Sequence, residues 1–183
     1  QAGSKSQADE RHRADPNLKV RTVLDRAATK IVGKFDHQPL VEATIRLTIG
    51  RSYQDLGLYR EAKVHLERSH ELYRRQRGDD DRLTLDAASS LGDVYSQLAS
   101  YAKAEQLLVE TLERRRRVLG PENIDTLRTA DNLGNVYNHA AKYDLAEDLF
   151  RTNLELRRKT LGENHADTFE AMNNLALLHQ ARG

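Results

Sequence analysis

The chain has 183 residues, of which 31% are charged and 5% aromatic, and a formal net charge of +1. A charge this close to balance gives no overall field that would favour nucleic acid or an anionic membrane surface. The sequence contains no cysteine, which excludes disulfides and thiolate metal sites and fits a reducing compartment. We therefore expect a cytoplasmic location, free or tethered within a larger membrane-associated protein. Apolar runs are only a few residues long, so neither a membrane span nor a signal peptide is predicted.

Rare residues recur every 42 positions along most of the chain. The recurrence takes in six of the seven tyrosines, six of the ten glycines and three alanines. The repeated positions are Tyr53, Tyr95 and Tyr137; Tyr59, Tyr101 and Tyr143; Gly50, Gly92 and Gly134; Gly78, Gly120 and Gly162; and Ala62, Ala104 and Ala146. A fixed period of this length predicts a solenoid of stacked supersecondary units, which presents an extended surface for binding.

Residues at the two ends of the chain differ from the repeats between them. Residues 1–16 are polar and lack an apolar stripe, so we predict that they are disordered or a linker remnant. Residues 17–36 are predicted to form one helix, in which Val20, Leu24 and Phe35 hold the register of the second helix of a repeat. The remaining boundaries follow from the period: three complete units over 37–78, 79–120 and 121–162, and the first helix of a truncated fourth unit over 163–183.

Each unit is predicted to contain two helices, A and B, joined by a short turn. Asn123 is suited to cap helix A of the third unit through its side-chain oxygen, and Gly162 is suited to end helix B. Asp81 and His165 hold the same capping position in the neighbouring units. The predicted A helices span 39–56, 82–98, 124–140 and 166–181, and the predicted B helices span 18–35, 60–77, 102–119 and 144–161. The predicted fold class is therefore all-α, a right-handed superhelical solenoid of antiparallel helix pairs with about eight helices.

A glycine lies at the same mid-helix position of three successive A helices. Glycine there costs about 1 kcal/mol relative to alanine, so its repetition needs a packing reason. We predict that it allows helix A to approach its B helix closely. The residues predicted to face the glycines or to fill the space around them are Ala62, Ala104 and Ala146; Leu66, Leu108 and Phe150; and Tyr53, Tyr95 and Tyr137.

The spacing of these positions resembles the tetratricopeptide repeat (TPR). The motif positions are Leu91, Gly92, Tyr95, Ala104 and Leu108 in one unit and Leu133, Gly134, Tyr137, Ala146 and Phe150 in the next. The usual TPR unit has about 34 residues, and this longer variant is similar to the repeats of kinesin light chains and of many bacterial signalling proteins. The family's early tryptophan position holds Arg46, Ala88, Ala130 and Met172. The first segment, from Ala14 to Tyr59, resembles the region that follows the catalytic and linker regions of some bacterial serine/threonine protein kinases.

The resemblance implies a concave groove lined by the A helices, where a protein or peptide partner binds. The groove positions are Arg51, Gln54, Asp86, Ser89, Asp93, Arg128, Asp131, Asn132, Asn135, Asn138, His139, Asn173 and Asn174. These side chains are polar although core residues alternate with them, and amides can bond a peptide backbone as both donor and acceptor. A solvated helix face with ordinary polar residues is the alternative. Some TPR proteins clamp a carboxylate with paired basic residues, but the matching positions hold Leu47 and Arg51, so that clamp is not predicted.

Other chemistry is not expected from this sequence. The basic runs Arg114–Arg117 and Arg157–Lys159 fall in the last turns of B helices, where cations complement the helix dipole, so nucleic-acid binding is not predicted. His65 and His70 lie five positions apart, the wrong spacing for one helix face. Asp79–Asp81 lacks the glycine and the terminal glutamate of a calcium loop. We therefore predict no catalytic residue, no metal site and no cofactor.

Two functions remain open. The first is a non-catalytic protein-interaction scaffold, within a larger bacterial signalling protein, that binds a peptide or a partner domain in the groove. The alternative is self-assembly through the last A helix, where Met172, Leu175 and Leu178 are predicted to form an apolar face without a covering B helix. Cargo adaptation of the kinesin-light-chain kind is a third hypothesis, and the bacterial character of the first segment argues against it.

Overall fold

The computed structural model describes residues 16–183, which form eight α-helices and no strand. The prediction of disorder for 1–16 lies outside these residues, except for Pro16, which begins the first helix. The helices are α1 (Pro16–Lys30), α2 (Pro39–Asp55), α3 (Tyr59–Arg77), α4 (Arg82–Gln97), α5 (Tyr101–Val118), α6 (Ile124–His139), α7 (Tyr143–Leu161) and α8 (Ala166–Arg182). The predicted all-α fold and its number of helices are confirmed. The A helices are α2, α4, α6 and α8, and the B helices are α1, α3, α5 and α7.

The first helix is shorter than the sequence predicts. It ends at Lys30 rather than at Phe35. The reason is local: Lys34 N–H donates to the Ile31 carbonyl in a turn, and Gly33 has a φ of +71°, which a helix cannot contain. Phe35 nevertheless packs, partly buried, against the first core cluster.

Three A helices begin at a side chain that caps their first turn. The backbone N–H of Leu83 donates to Asp81 over 2.9 Å, and that of Asp125 donates to Asn123 over 2.9 Å. In the last unit Asp167 N–H donates to Nδ1 of His165 over 3.2 Å. Each cap satisfies an amide that the helix itself leaves unpaired. The three predicted caps are confirmed, and they repeat with the same 42-residue period.

The helices pack in an order that separates an inner from an outer face. Each helix packs against the next along the chain, and each A helix also touches the following A helix. Neighbouring B helices show no such backbone packing in the described part of the chain, although Arg21 on α1 pairs with Glu61 on α3 over 3.2 Å. The A helices therefore form one continuous concave surface, and the B helices spread apart on the convex side.

The repeated glycines lie where each A helix meets its B helix. A Cβ built at Gly92 would lie 2.5 Å from Cγ of Leu108, and one at Gly50 would lie 2.7 Å from Cγ of Leu66. Both leucines are fully buried. The predicted close approach is confirmed, because no other residue leaves room for the partner side chain.

The core is a series of clusters joined by tyrosines. Tyr95 packs against both the first and the second cluster, and Tyr137 packs against both the second and the third. The hydroxyl of Tyr95 donates to Glu67 over 2.8 Å, and that of Tyr53 donates to Asp25 over 2.7 Å, each on a preceding B helix. The tyrosine column therefore links successive units through both its ring and its hydroxyl.

Candidate functional site

The concave face of the A helices contains two adjoining cavities. The first, between α2, α4 and α6, has a volume of about 400 Å³, and the second, between α6 and α8, about 440 Å³. Arg128 and Asn132 line both cavities, so the two form one surface, which we call the groove. Ten of the thirteen predicted groove residues line it: Arg51, Gln54, Asp86, Ser89, Asp93, Arg128, Asp131, Asn132, Asn135 and Asn174.

Three predicted groove residues lie outside both cavities. His139 is in the last turn of α6, where its Nδ1 lies 3.3 Å from Oγ of Ser96 and its ring lies against Tyr101 with a centroid distance of 6.1 Å. Asn138 is partly buried, and Asn173 is exposed on α8. Asn138 and His139 lie at the C-terminal end of α6, beyond the residues that line the two cavities.

A buried arginine fixes the first cavity from below. Arg115, on α5, is only 3% exposed. Its Nη2 donates to Oδ1 of Asp86 over 2.5 Å, and its Nη1 donates to the Asp125 carbonyl over 2.6 Å and to Thr129 Oγ1 over 2.7 Å. Burial lowers the pKa of Arg115, and the charges of Asp86 and Asp125 oppose this. One side chain thus ties a B helix to two A helices and holds the Asp86 carboxylate at the edge of the cavity.

The same position one unit later holds a second buried arginine. Arg157 is fully buried; its Nη2 donates to Oδ2 of Asp131 over 2.6 Å, and its Nη1 donates to the Asp167 carbonyl over 3.1 Å. Nδ2 of Asn153 donates to the other oxygen of Asp131 over 2.5 Å. Burial raises the pKa of Asp131, while Arg157 and Asn153 act to lower it. Asp131 therefore lines the groove as a fixed, fully bonded carboxylate.

The buried arginines correct the sequence interpretation of the basic runs. The sequence interpretation assigns Arg115 and Arg157 only to the last turns of B helices, where cations complement the helix dipole. Arg115 does lie in the last turn of α5, but both side chains also reach under the A helices. Arg115 and Arg157 occupy the repeat position that Tyr73 holds in the first unit. Tyr73 is buried, and its hydroxyl lies 2.8 Å from Oγ1 of Thr44. The signal in the sequence is the large aromatic residue Tyr73, which lies 42 positions before Arg115 and 84 before Arg157 and marks this repeat position as inward-facing. Their exposed neighbours form ion pairs instead, as Arg117 does with Asp80 over 2.7 Å.

Asp93 differs from the arginine-paired carboxylates of the groove. Asp93 is partly buried on α4 and accepts a hydrogen bond from Nε2 of Gln54 on α2. It forms no ion pair with any side chain of residues 20–183. Burial raises the pKa of Asp93, and hydrogen bonds from Gln54 and Gln97 and the charge of His139 act in the opposite direction. The first cavity therefore contains a desolvated anion that only amides satisfy.

Comparison with known proteins identifies the family. The chain matches the family model of the tetratricopeptide repeat over residues 41–117, 99–152 and 125–183. The chain belongs to the tetratricopeptide repeat family. None of the curated proteins matches it in sequence.

Solved TPR structures share the architecture of this chain. BtubC (BKLC) from P. vanneervenii superposes with a TM-score of 0.75 at 20% identity, over 96% of this chain and 70% of that one. A putative kinesin light chain from Podosopora anserina with nearly identical TPR-like repeats gives 0.75 at 19% identity, over 91% and 79% of the two chains. A second structure of that protein gives 0.73 at 20% identity. The chain is therefore a TPR array of the kinesin-light-chain type in its fold.

Outside the groove, the TPR array has another cavity of about 400 Å³, whose lining includes Asp79, Lys103 and Glu110. Among residues 16–183 no three histidine, aspartate or glutamate side chains are placed to share a metal ion. His65 stacks on Tyr53 with a centroid distance of 5.6 Å, and burial lowers the pKa of His65. No helix of the described part combines the length and the apolar character that crossing a membrane requires. The groove joins two cavities and extends along four A helices, so we take it as the candidate functional site of the array.

Proposed function

We propose that the TPR array is a non-catalytic scaffold that binds a peptide or a partner domain in the groove. The observation that carries this proposal is the continuous polar surface that α2, α4, α6 and α8 form on the concave side. TPR repeats are generally protein-interaction modules, and a solenoid offers such a surface without needing a single deep pocket. The comparisons leave the partner open, so its chemistry has to come from the groove itself.

The amides of the groove are suited to an extended peptide backbone. Asn135 and Asn174 line the second cavity and make no side-chain hydrogen bond with any of residues 20–183. Asn132 is close to a partner only through Nδ2, which lies 3.5 Å from Oγ of Ser89. An amide presents a donor and an acceptor together, as a peptide unit does. These three side chains can therefore form paired hydrogen bonds with a backbone lying along the groove.

The groove is also held in place before a partner arrives. Arg115 and Arg157 bond side chains or carbonyls from two successive A helices each, so the spacing of the A helices is fixed by buried contacts. A surface that is already ordered loses less conformational entropy on binding. This supports recognition by a rigid groove to which a flexible segment adapts.

An affinity capture with matched variants tests the proposal. The groove variant carries Asn132→Ala, Asn135→Ala and Asn174→Ala, and the control variant carries Gln76→Ala, Gln106→Ala and Asn164→Ala, three exposed amides outside the groove. We expect proteins from a lysate of the source organism to be retained by the wild type and the control and lost from the groove variant, with all three melting alike. Equal retention by the groove variant would contradict the proposal.

Self-assembly stays a second candidate, on a different set of residues from the one predicted. Leu178 is only 1% exposed and packs with Phe150, so its prediction as part of an exposed face is wrong. Leu175 is partly buried in the same cluster. The exposed apolar side chains of α8 are Phe169 and Leu177, at 54% and 50%. These two residues are the observation that favours association with a second copy.

We propose that the array belongs to a larger cytoplasmic signalling protein of bacteria. The support is the resemblance of the segment from Ala14 to Tyr59 to the region after the catalytic and linker regions of some bacterial kinases. The complete reading frame tests this proposal. A kinase or another signalling domain in the same frame would support it, and a frame that encodes TPR units alone would contradict it.

A further inference from the structure

The lining of the groove is acidic, although the chain as a whole carries a net charge of +1. The carboxylates that line the two cavities are Asp55, Asp86, Asp93, Asp125, Asp131, Asp167 and Glu170. The cations that line them are Arg51, Arg115 and Arg128. Negative charge is therefore concentrated on the concave side, and the compensating positive charge lies elsewhere on the array.

Ion pairing within the array leaves most of this acidity uncompensated. Asp86, Asp125 and Asp131 pair with arginines, at distances of 2.5 to 3.0 Å. The other four lining carboxylates have no lysine or arginine ion-pair partner among residues 20–183. Two of them have a histidine nearby: His165 lies 4.0 Å from Asp167, and the charge of His139 acts on Asp93. These four are Asp55, Asp93, Asp167 and Glu170.

The two cations free of carboxylates are engaged differently. Arg51 donates to Oγ of Ser90 over 3.0 Å and to the Asp86 carbonyl over 3.4 Å, so neutral atoms already satisfy part of its guanidinium. Arg128 is exposed and forms no ion pair within the described part of the chain. A partner rich in carboxylates would find at most these two arginines, and it would meet four unpaired carboxylates beside them.

The strongest single anchor for a cation is Asp93. It is partly buried, it accepts hydrogen bonds from amides, and it lies on α4, between α2 and α6, in the lining of the first cavity. A carboxylate in such a place is stabilised by a cation far more than an exposed one, since the low local dielectric strengthens the pair. The second cavity offers Asp167 and Glu170 for another cation.

We propose that the groove recognises an extended peptide segment that carries lysine or arginine side chains, one pairing with Asp93 in the first cavity and another with Glu170 and Asp167 in the second. The proposal rests on the groove being the binding surface proposed above. The amides of Asn132, Asn135 and Asn174 hold the backbone, and the carboxylates select the side chains. Charge complementarity of this kind decides which partner binds and speeds its encounter.

Selection from a displayed library of random twelve-residue peptides tests this inference on the whole chain. We expect the enriched peptides to contain more lysine and arginine than the library and fewer acidic residues. Fluorescein-labelled copies of the enriched peptides are then titrated by fluorescence anisotropy. We expect Asp93→Asn to weaken binding about tenfold and Glu170→Gln less, because Glu170 is more exposed. Glu113→Gln, which removes an exposed carboxylate from the convex side, should leave the dissociation constant unchanged.

The outcomes separate this inference from the proposed function. Enriched peptides that are acidic or uncharged, or that bind Asp93→Asn and Glu170→Gln as they bind the wild type, would overturn the inference. If such peptides still lost affinity for the Asn132→Ala, Asn135→Ala, Asn174→Ala variant, the groove would remain the binding site. Peptides that bind this variant normally, or no enrichment at all, would overturn both. Because Glu170 is exposed, its substitution is readable even if Asp93→Asn perturbs folding.

Discussion

At the scale of single residues, Asp93 shows a conflict between stability and binding. Burial raises the pKa of Asp93 above its ordinary value of 3.8. The Asp93 carboxyl therefore binds its proton more tightly in the folded chain than in the unfolded chain. Stability from this group is present below pH 3.8 and is lost as the pH rises through the raised pKa. At neutral pH the ionised carboxylate destabilises the free array, as expected of a site kept for a ligand.

We predict that Asp93→Asn stabilises the free protein at neutral pH. The amide is isosteric, can still accept the hydrogen bond from Gln54 and carries no charge that needs solvation. Thermal melting at pH 7 should show a melting temperature higher by on the order of 2 °C. The difference should disappear near pH 3.5, where both side chains are neutral. A lower melting temperature at pH 7 would mean that the ionised form is favourably placed.

The buried pair of Arg157 and Asp131 allows a second residue-scale prediction. The first unit holds Tyr73 and Leu47 at the equivalent positions, both buried. Arg157→Tyr alone leaves Asp131 without its cation, and we expect a loss of about 3–5 kcal/mol in the free energy of unfolding. Adding Asp131→Leu, which copies the first unit, should recover most of this loss, because a packed apolar pair replaces a buried ion pair at little cost.

Urea denaturation of the wild type, Arg157→Tyr and the double variant measures both the loss of stability and its recovery. Arg158→Ala is the control, since Arg158 is the exposed neighbour in the same basic run. We expect its effect to stay within about 0.5 kcal/mol. If the double variant were no more stable than Arg157→Tyr, the equivalence of the two positions across units would be disproved.

At the scale of the helix pair, the glycine position sets how closely A and B pack. A Cβ at Gly92 would come within 2.5 Å of Leu108 Cγ, so any side chain there has to push α4 and α5 apart. We predict that Gly92→Leu lowers the unfolding free energy by about 3 kcal/mol or more, as overpacking a rigid contact does. Ala102→Leu, which introduces a leucine at an exposed position of α5, should leave the melt unchanged. An unchanged melt for Gly92→Leu would refute the close pairing.

The sequence predicts the helix pairs well because the same local signals repeat. A cap at Asp81, Asn123 or His165 begins three of the four A helices, and the mid-helix glycine of α2, α4 and α6 indicates where the B helix packs. The exceptions are local: at Gly33 the apolar periodicity runs on although the helix has ended, since periodicity reports burial rather than backbone φ. The burial of Arg115 and Arg157 is not predicted because each lies within a run of basic residues. Charge in sequence does not say which of four adjacent side chains turns inward.

At the scale of the whole molecule, the sequence predicts which surface contains the site but not which of its side chains lack a partner. Stacking with a fixed period places the A helices side by side, so polar residues such as Arg51, Asp93 and Asn135, which are 42 positions apart, fall in one column. Which of them lack a partner depends on side chains from other elements. Gln54 on α2 donates a hydrogen bond to Asp93 on α4, and Arg115 on the B helix α5 donates one to Asp86 on α4. Those contacts set the charge of the groove and cannot be read from one repeat.

The core weakens along the array, and this leads to a prediction about its last helix. The first cluster contains Leu66 and Tyr73 among many buried residues, whereas the third has only Ala146, Phe150 and Leu178. Local opening follows the amount of buried apolar contact. We therefore expect amide hydrogen exchange to be slowest in α3 to α5 and fastest among the A helices in α8.

Hydrogen exchange in α8, together with the mass from light scattering, distinguishes a monomeric scaffold from self-assembly. Phe169 and Leu177 are exposed on α8, so association through this face would bury them and slow exchange there as concentration rises. For a scaffold that acts through its groove we expect light scattering to give a monomer mass at every concentration, with exchange in α8 unchanged. Phe169→Ser with Leu177→Ser is the matched variant, and it should behave as the wild type does. A mass that grows with concentration, and that the double variant abolishes, would instead establish self-assembly as a property of this face.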